Sequence, residues 1–209
     1  MPIETFLQTL TKQRNTSTLT NPYRDAAILN NLRIYLNHMC RIEGRRVLLV
    51  GEAPGYKGCR ITGIPFSSGR IFTRAGHPLL DALRDELVFA RIEAENTASI
   101  VWEYLCARCI TPLFWNSLPF HPHPPGKHDG NRAPMVQEIA QGVSYLRDIE
   151  RLFHPDQVAG VGAKGTECAR RAFPERQIVC IRHPSFGGKA EFIRGMDRLF
   201  PQDMASAAG

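Results

Sequence analysis

No run in this chain approaches the ~20 consecutive apolar residues that a membrane-spanning helix needs. Its opening residues, MPIETFLQTLTKQRNTST, lack the basic-then-apolar order of a secretory signal. A soluble, cytoplasmic protein without a membrane partner is expected. Lysine is scarce: of 26 basic residues 5 are Lys and 21 are Arg, against 20 acids, for a net charge of +6. Arginine grips phosphate and carboxylate bidentately, so this balance admits a nucleic-acid partner. It equally fits a solvated surface written in GC-rich codons. A second cysteine pair is missing after Cys106-x-x-Cys109, so no four-cysteine zinc framework forms. The six thiols are expected to be reduced and buried, with Cys109 inside a strand. His121, His123 and His128 are interleaved with Pro122, Pro124 and Pro125, which predicts a stiff extended loop in preference to a metal site.

Two phosphate signatures also fail. No G-x-x-x-x-G-K-[ST] occurs, and Glu52 would repel phosphate from the first glycine loop. Gly160-Val-Gly162-Ala-Lys-Gly165 matches G-x-G-x-x-G, but the acid required about 20 residues on is replaced by IVCIRHPS. Arg182 would suit a 2′-phosphate there. A strand-to-helix turn that needs glycine explains the same residues.

What the 209 residues do contain is a strand–helix alternation. Apolar runs at Val47–Val50, Cys109–Trp115, Gln157–Val161 and Gln177–Ile181 predict strands. Asn21-Pro22 predicts a helix start, followed by Ile28, Leu29, Leu32, Leu36 and Met39 at helical spacing. A second helix is predicted from Pro134, with Met135, Ile139, Val143 and Leu146 inward. The pattern is one α/β domain over 1–209 with a mainly parallel sheet: a helical segment to about 45, then a core over about 46–200. Polar, Pro/Gly-rich segments follow three strands, at Gly51–Gly69, Asn116–Pro134 and His183–Lys189. Ligands of parallel sheets bind beyond the carboxyl ends of strands, so these loops should converge on one site.

The three loops read GEAPGYKGCRITGIPF, WNSLPFHPHPPGKHDGNRAP and IRHPSFGGKAEFIRGM. In this order they resemble the uracil-DNA glycosylase superfamily, closest to the GEAPG branch typified by iron–sulfur enzymes. The anchors span about Val47 to Met196. The resemblance implies a three-layer α/β/α sandwich around a four-stranded, mainly parallel sheet. It implies a substrate pocket built from Gly51, Ala53, Gly55, Phe66 and Asn116, with Glu52 and His183 as catalytic residues. Phe66 offers an aromatic face, worth about 1–3 kcal/mol per stacked base. Asn116 offers a donor and an acceptor to the polar edge of uracil. His183 would stabilise charge growing on the departing base. Ser185, Phe186, Gly187, Lys189 and Arg132 are the implied DNA contacts, with Phe186 as a wedge. Without the resemblance, Phe66 reads as core, Asn116 as a turn former and His183 as a loop cap.

The chain departs from the family at three points. Ala53 stands where the best-known branch has a water-orienting Asp, which leaves Glu52 either to take that role or to cap loop amides. Gly55 stands where another branch excludes thymine with Tyr, and Tyr56 is one residue late. Only Cys40 precedes Val47 and no cysteine lies between Asn116 and Leu152, so no cluster is expected. Packing of the N-terminal helix and proline-rich loop must replace it. The implied activity is removal of uracil from single- or double-stranded DNA by a monomeric, monofunctional glycosylase. It would need water but no cofactor, and would serve base excision repair at the bacterial nucleoid. A catalytically silent DNA- or nucleotide-binding member of the fold, or an NADP-dependent enzyme using Gly160–Gly165, is the alternative.

Overall fold

The computed structural model describes residues 1–201. In chain order its elements are α1 (Ile3–Thr11), β1 (Leu19–Thr20), α2 (Ala26–Cys40), β2 (Val47–Gly51) and the single turn α3 (Cys59–Thr62). Then come α4 (Pro78–Leu83), α5 (Asn96–Arg108), β3 (Leu113–Asn116), β4 (His121–Pro122) and α6 (Val136–Phe153). The chain ends with β5 (Gln157–Val161), α7 (Gly162–Ala172), β6 (Val179–Ile181) and α8 (Lys189–Leu199). None of these helices is long and apolar enough to cross a membrane.

The four-stranded sheet has the order β3-β2-β5-β6 with every pairing parallel. Helices flank it, giving the expected α/β/α sandwich. Buried strands in such a sheet are apolar on both faces, and β2 is buried from Val47 to Gly51. After β3 the chain crosses β2 to reach β5. This reversal opens a crevice beyond the carboxyl ends of β2 and β5, where a ligand can lie.

The N-terminal helices close one side of the core. Leu32, Tyr35, Leu36 and Met39 form the buried stripe of α2. Phe6 of α1 packs its ring 5.3 Å from that of Trp115. The strand β1 pairs antiparallel with β4, Leu19 opposite Pro122 and Thr20 opposite His121. The N-terminal segment thus ties itself to the proline-rich loop by packing and pairing. Two helices approach the sheet closely at glycines: a Cβ on Gly142 of α6 would stand 1.6 Å from the Ser117 carbonyl oxygen, and one on Gly165 of α7 2.1 Å from that of Val50.

Several expectations need correction. Asn21 caps only the short 3-10 turn Pro22–Arg24; α2 begins later, with Asp25 Oδ1 accepting from the amides of Ala27 and Ile28. Met135 is 51% exposed because it is the N-cap of α6, not part of its inward face. Cys109 lies outside any strand: it ends α5 in left-handed conformation and is exposed. Cys40 and Cys180 are exposed too, leaving only Cys59 and Cys168 fully buried. Periodicity marked apolar runs correctly but could not show that Thr111-Pro112 delays β3.

Burial pushes the thiols of Cys59 and Cys168 up to about 12. A thiol-reactive dye at mildly alkaline pH should therefore label Cys40, Cys109 and Cys180 rapidly in the native protein. Cys59 and Cys168 should react only after denaturation, as peptide mapping would show. Gly142→Ala should destabilise the fold by about 1–3 kcal/mol through overpacking against Ser117, read as a lowered urea midpoint.

Candidate functional site

The site begins where β2 ends. Gly51 lies in register with Asn116 of β3, and its missing side chain is what brings the neighbours together. A Cβ on Gly51 would stand 2.7 Å from Phe66 Cζ and 2.8 Å from Asn116 Oδ1. Asn116 is only 4% exposed, and its Nδ2 points at Cys59 Sγ, 3.8 Å away. Phe66 is held by Trp102 Nε1, which donates to its carbonyl at 3.0 Å, and by the ring of Phe114. The result is an aromatic edge and an amide on the floor of one cavity.

Among the described residues, four non-glycine residues have positive φ. Cys109 and His154 are helix C-caps, where that geometry is ordinary. The other two are Phe66 (φ 55°) and Phe186 (φ 52°). Bulky residues rarely adopt it, and such strain collects at functional sites. Phe186 is 98% exposed at the cavity rim.

The cavity measures about 570 Å³. Gly51, Glu52, Ala53, Gly55, Phe66, Asn116, His183, Ser185 and Phe186 all line it, so three loops do converge. Gly187 and Lys189 lie outside the lining. Lys189 is the first residue of α8 and pairs with Glu103 at 2.8 Å.

His183 is half-buried, which lowers its pKa; the charge of Glu95 opposes this and that of Arg182 adds to it. The imidazole is therefore neutral at pH 7. Its Nδ1 accepts from the Ser185 amide at 3.3 Å. The hydrogen-bond network thus assigns the ring proton to Nε2. Ser185 Oγ is in turn 3.1 Å from Thr97 Oγ1.

Glu52 is partly buried, and burial raises its carboxyl pKa against the pull of Lys164. Its backbone carbonyl accepts from Leu118 N and Ser117 Oγ. Its carboxylate caps no amide among the described residues, contrary to the capping alternative.

Arg132 lines the same cavity and also braces the loop. Its fork meets both oxygens of Glu138 at 2.8 Å, and its remaining donors face the carbonyls of Thr18, His123 and Ala133. The histidines of this loop are also engaged: His121 Nδ1 faces the Pro54 carbonyl at 2.7 Å, and His123 Nε2 faces Thr20 Oγ1 at 3.0 Å. No group of three His, Cys, Asp or Glu among the described residues is placed to hold a metal. The G-x-G-x-x-G turn serves packing: a Cβ on Gly160 would stand 2.3 Å from Thr166 Cα.

Sequence reasoning missed Cys59, Glu95 and Asn131 in the lining. Glu95 caps α5 with both oxygens, on Thr97 and Ala98 amides; glutamate is an uncommon cap, so no motif marked it. Asn131, within the NRAP anchor, accepts from the Tyr56 amide at 3.0 Å. Tyr56 itself stays out of the lining.

The model of the Uracil DNA glycosylase superfamily matches residues 39–193, which carry all three of these loops. The chain belongs to this superfamily. The crystal structure of wild-type SMUG2 from Pedobacter heparinus superposes with a TM-score of 0.66 at 15% identity, covering 97% of this chain and 98% of that one. At such identity the likeness carries the fold. No curated protein matches the chain.

Because burial holds Glu52 above the ordinary carboxylate range, folding favours its protonated form. Its ionisation subtracts from stability, increasingly as pH rises from its unfolded value through its raised folded one, and constantly above that. Glu52→Gln should raise the urea midpoint at pH 7. The gain should vanish in acid below the ordinary carboxylate range.

Proposed function

We propose that this protein is a monofunctional DNA glycosylase that hydrolyses the N-glycosidic bond of uracil in DNA and leaves an abasic site. The observation that carries the reading is that His183, whose Nδ1 accepts from the Ser185 amide, and the buried amide of Asn116 line one cavity. A pyrimidine bound there would lay its face on Phe66 and its polar edge on Asn116. A base stacked in a duplex cannot reach such a floor, so the nucleotide must swing out. Phe186, exposed at the rim, has the place and the apolar surface to fill the vacated stack.

As the C1′–N1 bond breaks, the bonding electrons leave with the base and positive charge grows on the sugar. His183 Nε2–H donates to the base oxygen where the negative charge collects, with no proton transferred. Glu52 in its carboxylate form stabilises the sugar cation or orients the water that adds to C1′, whose proton passes to solvent. Its carboxylate is free of other partners among the described residues, which suits either part. A metal or organic cofactor is not invoked in any of these steps.

The purified protein should release uracil from a labelled oligonucleotide, seen as strand breakage after alkali. His183→Ala should cut the single-turnover rate about 10²–10³-fold, with far less change in DNA affinity. Asn116→Ala should abolish most excision while duplex binding persists, because a mismatched buried amide selects strongly. Wild-type rates in Asn116→Ala would place base recognition elsewhere. An inactive wild type that still binds DNA would make the chain a silent binder.

A further inference from the structure

A second cavity, of about 530 Å³, lies beside the first and is not used by the chemistry above. Arg24, Arg60 and Arg91 line it, with Asp25 as the one carboxylate. The two cavities share the turn α3 as a wall: Cys59 faces the first and Arg60 the second. Adjacent Cα atoms are about 3.8 Å apart, so the two cavities adjoin along this turn.

The charges at this second cavity are poorly matched within the protein. Arg24 is exposed and has no acid partner among the described residues. Arg60 spends one guanidinium nitrogen on the His128 carbonyl. Burial and the nearby Arg91 both lower its pKa, while Asp129 only partly compensates. Arg91 Nε lies 3.4 Å from Glu93 Oε1, with both side chains partly exposed. Asp25 directs Oδ1 to the α2 amides at 2.8 and 3.2 Å, so its charge already serves the helix start. Like charges held together cost free energy unless an anion stands between them. Guanidinium forks suit phosphate oxygens in particular.

We infer that the Arg24–Arg60–Arg91 cavity is a phosphate site for the DNA strand whose base enters the neighbouring cavity. This rests on the glycosylase reading, which makes DNA the ligand. The site registers that strand and supplies sequence-independent affinity. Arg132 directs its fork to Glu138; none of these three arginines makes such a two-point hydrogen-bonded pair among the described residues.

The test reads DNA affinity, not base release. Duplex binding is measured by fluorescence anisotropy across a salt series for wild type, Arg24→Gln/Arg91→Gln and Arg60→Gln. Removing one phosphate-binding arginine should flatten the plot of log K against log salt by about 0.9. Arg60→Lys should recover most of the slope that Arg60→Gln removes. Arg170→Gln, on the far half of α7, should leave it unchanged. Single methylphosphonate replacements near the target base supply a second reading: one position should weaken wild type but not the double variant. A wild-type slope in Arg24→Gln/Arg91→Gln, with no methylphosphonate position showing this coupling, would overturn the site. Protection of wild type by inorganic phosphate, beyond that of chloride at equal ionic strength, would assign it to a free anion and overturn it too. A protein that releases no uracil yet shows the slope change would refute the uracil reading and leave this site standing.

Discussion

Only a hydrogen fits on the inner side of Gly51, and the arrangement of the whole site follows from that. With a Cβ there, either the Phe66 ring or the Asn116 amide would have to move. Each is fixed from behind: Trp102 holds the Phe66 carbonyl, and Asn116 ends a strand whose neighbour is Gly51 itself. The same economy recurs at Gly142 and Gly165, where helices seat directly on strand carbonyls. Close packing at strand ends sets the cavity floor to within a fraction of an ångström, because packed interiors give little.

Burial favours the uncharged form of both titratable groups in the cavity. Glu52 sits where burial disfavours its charge, and His183 sits where burial disfavours protonation. The Glu52 carboxylate has no capping duty among the described residues, and a backbone amide assigns the His183 tautomer. Both suit the proposed chemistry, in which opposite charges grow at the two ends of one breaking bond.

Much of this was legible beforehand, and the reasons differ by residue. The strand-loop alternation located the carboxyl edge because β-runs and Pro/Gly loops differ sharply in composition. Phe66, Asn116 and His183 were legible through the order of three loop motifs, not through any property of each residue alone. The pairing of Arg132 with Glu138 was not legible, because a basic residue in a loop looks the same whether it faces solvent or a carboxylate. Glu95 was invisible because its cap uses an unusual residue and its place at the cavity depends on tertiary approach to Gly55 and Gly58. Cys109 was misplaced because a left-handed helix end breaks the apolar run that seemed to continue into β3.

Phe186 combines nearly full solvent exposure with a left-handed backbone. The unliganded chain thus carries an unfavourable surface and a local strain together. Any partner that covers the ring gains a transfer term of about 1.5–3 kcal/mol without rearranging the loop. Resting-state free energy is in this way stored at the tip of one side chain. A β-branched residue of equal hydrophobicity would not reproduce it, because its backbone would leave the left-handed region and aim the side chain elsewhere.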